Sequence, residues 1–259
     1  MNAHKLLELS PRNWDLRAPF ALGTLSVLAL VTLTVPASAG IITNGSFENT
    51  NGAASSYEID SANLPGWTNG SGAPVALNCL VLASDVSDPC GVASFDSSDV
   101  FWTNPTLSPD GGNFIAVDSD PSFSAALSQT LTGLVVGDTY DVSFYQGAAQ
   151  FKAATGNTTD LWAVTLGSET LDSAIMDDAS KGVVAWESQS LDFTATSTTE
   201  VLSFFAEGTP SGGPPTALLD GVSVTGTESS PTPEPVMWAA VGTALAGFVV
   251  ARRRQHRRS

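Results

Sequence analysis

Histidine is almost missing from this chain of 259 residues. The two that occur, His4 and His256, stand at its extremities, so the body has no histidine base and cannot build a Ser-His-Asp triad. No Gly-x-Ser-x-Gly elbow and no phosphate loop is present either. Cations are as scarce. Between Gly40 and Thr232 lie 23 of the 26 acidic residues but only Lys152 and Lys181, a net charge of −21. Nothing there neutralises phosphates, which excludes nucleic acid as a direct partner. Such a surface also repels acidic polymers unless divalent cations mediate. Solubility outside the cell is the plain reading of this charge, and a calcium-dependent surface the sharper one. No internal repeat, no Thr-x-Thr ladder and no 3.6-residue apolar stripe is found in the body.

The long apolar runs are confined to the two ends. Lys5, Arg12 and Arg17 precede an apolar stretch from Ala21 to Val35, and Ala37-Ser38-Ala39 supplies a small-x-small cleavage pattern. Residues 1–39 read as a secretory signal peptide, with Gly40 the expected mature start. At the other end Pro233-Glu234-Pro235 leads into Val236 to Ala251, broken only by Thr243, and then into five arginines from Arg252 to Arg258. At helical rise that run spans about 24 Å, short of the hydrocarbon thickness, with a tail that the positive-inside rule keeps cytoplasmic. In this order the three features resemble the PEP-CTERM sorting signal of Gram-negative bacteria. The resemblance implies recognition by an exosortase-type membrane peptidase, an inner-membrane intermediate, and delivery to the cell envelope, outer surface or extracellular matrix. An ordinary C-terminal membrane anchor is the alternative.

Between the ends, one domain is expected over residues 40–227, joined by a Ser/Thr/Pro linker at 228–232 to the tail at 233–259. Its two cysteines, Cys79 and Cys90, are expected to form a disulfide in an exported protein. Short alternating apolar stretches punctuated by Gly, Ser, Thr, Asn and Asp predict strands at 41–48, 113–118, 129–134, 139–146, 161–166, 186–194, 200–206 and 217–225. Residues 84–112 and 207–215 read as loops. Eight or more strands with frequent turn signals mean an all-β sandwich.

The order of motifs narrows this. Asn44-Gly45-Ser46-Phe47-Glu48 and Leu64-Pro65-Gly66-Trp67 come first, then Asp110-Gly111-Gly112-Asn113-Phe114 and Gly137-Asp138-Thr139-Tyr140. Leu218-Leu219-Asp220-Gly221-Val222 closes the series. Together they resemble the galactose-binding-like jelly rolls, including carbohydrate-binding modules and the related DUF642-type domains. That resemblance implies a structural calcium held by Glu48 and Asp220, with oxygens of the Asn44 bend assisting. Where the family often has a second acidic or amide residue, this chain has Gly221. The opposing reading makes Asp220 a turn cap and Glu48 a solvated strand end.

A sugar ring needs an aromatic platform beside polar side chains. Phe101-Trp102 with Thr103, Asn104 and Asp99 is one candidate; Tyr145 with Gln146 and Gln150 is a second. Trp162 and Trp186 read as core, and Trp67 as either. The leading expectation is a non-catalytic exported surface or matrix protein associated with exopolysaccharide or biofilm. A carbohydrate-binding module for a specific glycan is the first alternative. The second is a polysaccharide hydrolase, but abundant carboxylates supply pairs about 5–10 Å apart by accident, and the expectation is no enzyme.

Overall fold

The computed structural model describes residues 41–55, 59, 61–70, 78–91, 100–120, 122–152, 155–212 and 215–227. The expected signal peptide, the linker and the sorting tail lie outside them. Among the described residues every regular element is a strand, and the strands form two antiparallel sheets.

In chain order the strands are β1 (Thr68–Asn69), β2 (Asn78–Val81), β3 (Phe114–Asp118), β4 (Leu127–Thr132), β5 (Thr139–Gln150) and β6 (Thr158–Leu166). Then come β7 (Glu169–Asp172), β8 (Met176–Asp178), β9 (Val183–Thr194), β10 (Thr199–Thr209) and β11 (Pro215–Thr227). The first sheet runs β1-β4-β10-β6-β7, with β8 also pairing with β6. The second runs β2-β3-β11-β5-β9. From β3 to β6, and again from β8 to β11, each successive strand lies in the opposite sheet, the winding of a jelly roll.

Period-two alternation builds the core. In β5, Tyr140, Val142 and Phe144 turn inward while Asp141, Ser143 and Tyr145 stay half-buried. Gly137 opens this strand with φ of 90°, a left-handed turn that suits glycine. Phe204 of β10 is the hub between the sheets. Phe144 and Trp162 meet it edge-on at 5.2 and 6.1 Å, and Trp67 tilts against it at 6.2 Å. The buried indoles keep their N–H groups bonded. Trp162 donates to the Leu218 carbonyl at 3.1 Å, and Trp67 to the Asn44 carbonyl at 2.9 Å.

A second, smaller apolar cluster covers the outer side of the second sheet. Phe114, Ala116, Ala149 and Leu218 meet Phe101, Phe151 and the cystine there. The Cys79–Cys90 disulfide is formed and ties β2 to the strip that follows it. Trp186 belongs to this cap rather than to the inter-sheet core. It lies edge-on to Phe114 at 5.5 Å and donates to the Thr106 carbonyl at 2.8 Å.

Several expectations need correction. Residues 41–48 form bends and turns, not a strand. The Gln129 side chain supplies their bonds, accepting from Thr43 N at 2.7 Å and donating to Thr43 O at 2.9 Å. Strands β10 and β11 extend into the expected loop at 207–215. Short strands β1, β2, β7 and β8 were not expected, because two to four residues are too few to show a period.

Candidate functional site

Three places gather polar chemistry. The first joins the two ends of the domain. Val222 N donates to Gly45 O at 2.9 Å, and a Cβ on Gly45 would lie 1.9 Å from Val222 O, so the early bend rests directly on the last strand. Glu48 reaches across the start of β3, where its Oε1 accepts from Asn113 N at 2.8 Å. Its carboxylate fills the space a Gly112 side chain would need, 1.8 Å from an added Cβ.

Asp220 stands where the register of β11 against β5 shifts, and it is fully buried. Neither of its carboxylate oxygens has a well-formed hydrogen bond. Burial pushes its pKa up to about 7; Ser108 and the Gly221 amide oppose the shift, and the charges of Asp110 and Glu48 add to it. The glycine after it has a structural reason. Gly221 has φ of 61°, and a Cβ there would lie 2.8 Å from Tyr145 Cδ2. A second ligand side chain at that position would collide with the Tyr145 ring.

Asn44 closes the bend itself. Its amide donates to Asn49 O at 2.9 Å and accepts from Asn49 N at 3.0 Å, while its carbonyl takes bonds from Phe47 N and Trp67 Nε1. Among the described residues no three acidic, histidine or cysteine side chains are gathered tightly enough to hold a metal alone. The donor set around Asp220 is nonetheless all oxygen and acidic, and its buried orphan carboxylate suits a hard cation completed by backbone oxygens and water.

The second place is the corner around Trp102. Phe101 does not offer a platform. It is 2% exposed and stacks flat on Phe151, centroids 5.1 Å apart and planes 3° from parallel. Trp102 is half-buried, with Thr103 and Asn104 exposed beside it. Its N–H donates to Gln150 O at 2.9 Å, and Lys181 Nζ stands 4.3 Å from the ring centroid. Lys152, exposed, donates its N–H to Val100 O at 2.9 Å. Both lysines of the body therefore meet the strand-like strip that carries Trp102. Asp99 lies outside the described residues.

The second aromatic candidate does not assemble as a surface. Tyr145 and Gln146 are consecutive in a strand and so face opposite sides of the sheet. Gln146 is fully buried and donates to Ala174 O at 2.9 Å. Gln150 is a buried strut. It donates to Gly156 O and Thr158 Oγ1, both at 3.0 Å, and accepts from Lys181 N at 2.7 Å. Tyr145, half-buried, leans on Gly221 at the Asp220 bulge.

The third place went unread in the sequence. Asp160 on β6 and Asp178 on β8 are 1% and 3% exposed. Burial raises Asp160 to about 7; a Ser119 hydroxyl bond opposes the shift, and the charges of Asp178 and Asp118 add to it. Burial likewise raises Asp178 to about 6. The signal in the sequence was an aspartate at an inward position of an alternating strand, Asp160 two residues before Trp162.

No protein-family model and no curated protein matches the chain. Among solved structures it is similar to TmCBM61 in complex with β-1,4-galactotriose, at 17% identity and TM-score 0.41, covering 73% of this chain and 100% of that one. A structure described as "CBM4 structure and function" gives 17% identity and TM-score 0.34 over 72% and 99% of the two chains. The CBM22-1 xylan-binding domain from Paenibacillus barcinonensis Xyn10C gives 13% and 0.37 over 68% and 95%. Overlap this loose carries no function across, and the sandwich is read from this chain's own ladders.

Proposed function

We propose that this is an exported, non-catalytic β-sandwich that attaches to polysaccharide through the Trp102 corner. The observation that carries this reading is Trp102 itself. It is a half-buried indole held by a backbone bond to β5, with exposed Thr103 and Asn104 beside it. Apolar ring faces stack on such a surface while neighbouring hydroxyl and amide groups bond sugar hydroxyls. The formed cystine accords with export to an oxidising compartment. Delivery by an exosortase-type system to the envelope or matrix of a Gram-negative bacterium is part of the proposal, and it rests on the order of motifs in the tail.

A structural calcium at Glu48 and Asp220 belongs to the same reading. It would neutralise the buried Asp220 carboxylate and pin the early bend to β11, holding the domain's two ends together. Melting the protein in chelator and in calcium tests it. An unchanged melting temperature removes the ion.

Affinity electrophoresis tests the glycan reading, using gels that contain galactan, xylan or alginate. The acidic alginate is included because both body lysines meet the Trp102 strip. Retardation by one polymer that Trp102→Ala abolishes is the expected result. Migration unaffected by all three, or retardation that survives the substitution, sinks the Trp102 reading and leaves a matrix protein without that platform.

A further inference from the structure

We propose that Asp160 and Asp178 form a second divalent-cation site, at the β6–β8 end of the sandwich and separate from Glu48 and Asp220. The pairing of β6 with β8 sets Thr158 opposite Asp178 and Asp160 opposite Met176. Residues two apart on a strand share a face, so both aspartates point to the inner side as diagonal neighbours, close enough for the charge of Asp178 to act on Asp160. Each has an oxygen, Oδ2 in both cases, that is sealed from solvent and has no hydrogen-bond partner. Two carboxyl groups buried side by side with idle oxygens resist ionisation together unless a counter-charge joins them.

The surroundings supply a route and further donors. A cleft of about 270 Å³ opens beside Asp178 and is lined by Asn157, Thr158, Thr159 and Asp177 as well; alternation turns Thr159 and Asp177 to the opposite face, so Asn157 and Thr158 are the side chains placed to assist. All of these offer oxygen and none offers nitrogen or sulfur of the kind that favours zinc, so the chemistry is that of calcium. On the far side Ser119 donates its hydroxyl to Asp160 Oδ1 and orients that carboxylate. The backbone at Gly182 closes on Asp178, since a Cβ there would lie 2.5 Å from Asp178 Oδ1. A catalytic carboxylate pair is a poorer reading, because a pyranose cannot reach oxygens sealed from water. With only two carboxylates, the site belongs in the weak range of extracellular modules, with a Kd on the order of 10⁻⁴–10⁻³ M.

Calcium titration calorimetry on the full-length chain, freed of metal by chelator, tests this. The Glu48→Gln/Asp220→Asn variant removes the first site and is expected to keep one calcium equivalent. Adding Asp160→Asn and Asp178→Asn to that background is expected to weaken the remaining binding at least tenfold. Both changes remove a buried charge while keeping shape, and melting in chelator reports whether each variant folds. If the combined variant does not fold, Asp178→Asn alone in the wild-type chain is titrated, with the loss of one weak equivalent expected. The proposal is overturned if the Glu48→Gln/Asp220→Asn variant binds no calcium, or if its binding ignores the Asp160 and Asp178 changes. In the first of those cases calcium binding by the wild-type chain would leave the Glu48–Asp220 reading standing.

Discussion

The two faces of the second sheet are covered in different ways. Toward the first sheet it presents Ile115, Val117, Phe144 and Leu219, which meet side chains delivered by other strands. On its outer side Phe114, Ala116, Ala149 and Leu218 are covered by irregular chain, held by one cystine, the Phe101–Phe151 stack and the Trp186–Thr106 bond. The inner layer is fixed by alternation along many strands at once. The outer layer hangs on a few named contacts, and it carries Trp102 at its margin. A sandwich with a separately fastened cap lets the irregular outer chain vary without unsettling the core.

The sharpest way to break this comparison is to remove one large ring from each layer. Trp162→Ala empties the space around Phe204 and is expected to cost about 3–5 kcal/mol. Trp186→Ala, half-buried in the cap, is expected to cost clearly less and to leave the inter-sheet packing intact. Urea denaturation of both variants decides the matter, and equal losses would mean that core and cap are one layer energetically. Next in size is the cystine. Replacing Cys79 and Cys90 by serine frees an 11-residue separation, worth about 3 kcal/mol in the chain-entropy model. Limited proteolysis is expected to cut the strip around 82–110 first, while the near-ultraviolet circular dichroism of the core rings persists. Cleavage spread evenly over the chain would contradict a separately fastened cap.

These differences also explain what the sequence disclosed. The inter-sheet core was legible because Tyr140, Val142 and Phe144, or Trp162, Val164 and Leu166, repeat with a period of two that only a strand satisfies. The contact of the early bend with the last strand was legible through motif order, since Val222 N bonds to Gly45 O. The cap was not. Phe101 and Trp102 are adjacent and aromatic, and nothing local says that one buries itself on Phe151 while the other stays out. That division depends on β5 continuing to Gln150 and on the Phe101–Phe151 bridge, contacts made across some fifty residues of chain. Gln146 was a different kind of miss. Its neighbour Tyr145 is half-exposed, and strand alternation alone forbids both from facing one ligand.

The carboxylates sharpen the comparison further, because Asp160 and Asp178 lie between the well-packed sheets and yet each keeps one oxygen without a hydrogen bond. In chelator, Asp160 and Asp178 have folded pKa values of about 7 and about 6, above the ordinary 3.8 of an unfolded aspartate. A carboxyl whose folded pKa is raised holds its proton in the native state after the unfolded chain has lost it. Native stability is therefore fullest below about pH 4 for these groups and falls as pH rises from about 4 to 7. The melting temperature in chelator is expected to drop by several degrees over that window. Asp160→Asn is expected to flatten the slope. Asp120 and Glu200, whose pKa values are lowered by hydrogen bonds from Ser122, Gly212, Thr196 and Ser197, work in the opposite direction and only at more acidic pH. A melting temperature rising steadily from pH 4 to 7 would mean that the buried pair is not ionising in the native state as described.

Trp102→Ala should have the smallest effect on stability and the largest on attachment. The indole is half-buried, its anchoring bond to Gln150 is made by the backbone and survives the substitution, and Phe101 stays stacked on Phe151. A loss of no more than about 1 kcal/mol is expected, well below that of a buried core ring. The contact with Lys181 is lost with the ring, and exposed cation–π pairs are worth about 0.5–1 kcal/mol. Lys181→Ala serves as the partner experiment. It removes the ammonium but keeps the ring and should weaken retention on alginate more than on galactan or xylan if charge contributes at this corner. A Trp102→Ala protein that melts several degrees lower would show instead that the ring closes the edge of the sandwich, making it part of the cap rather than the surface the cap presents.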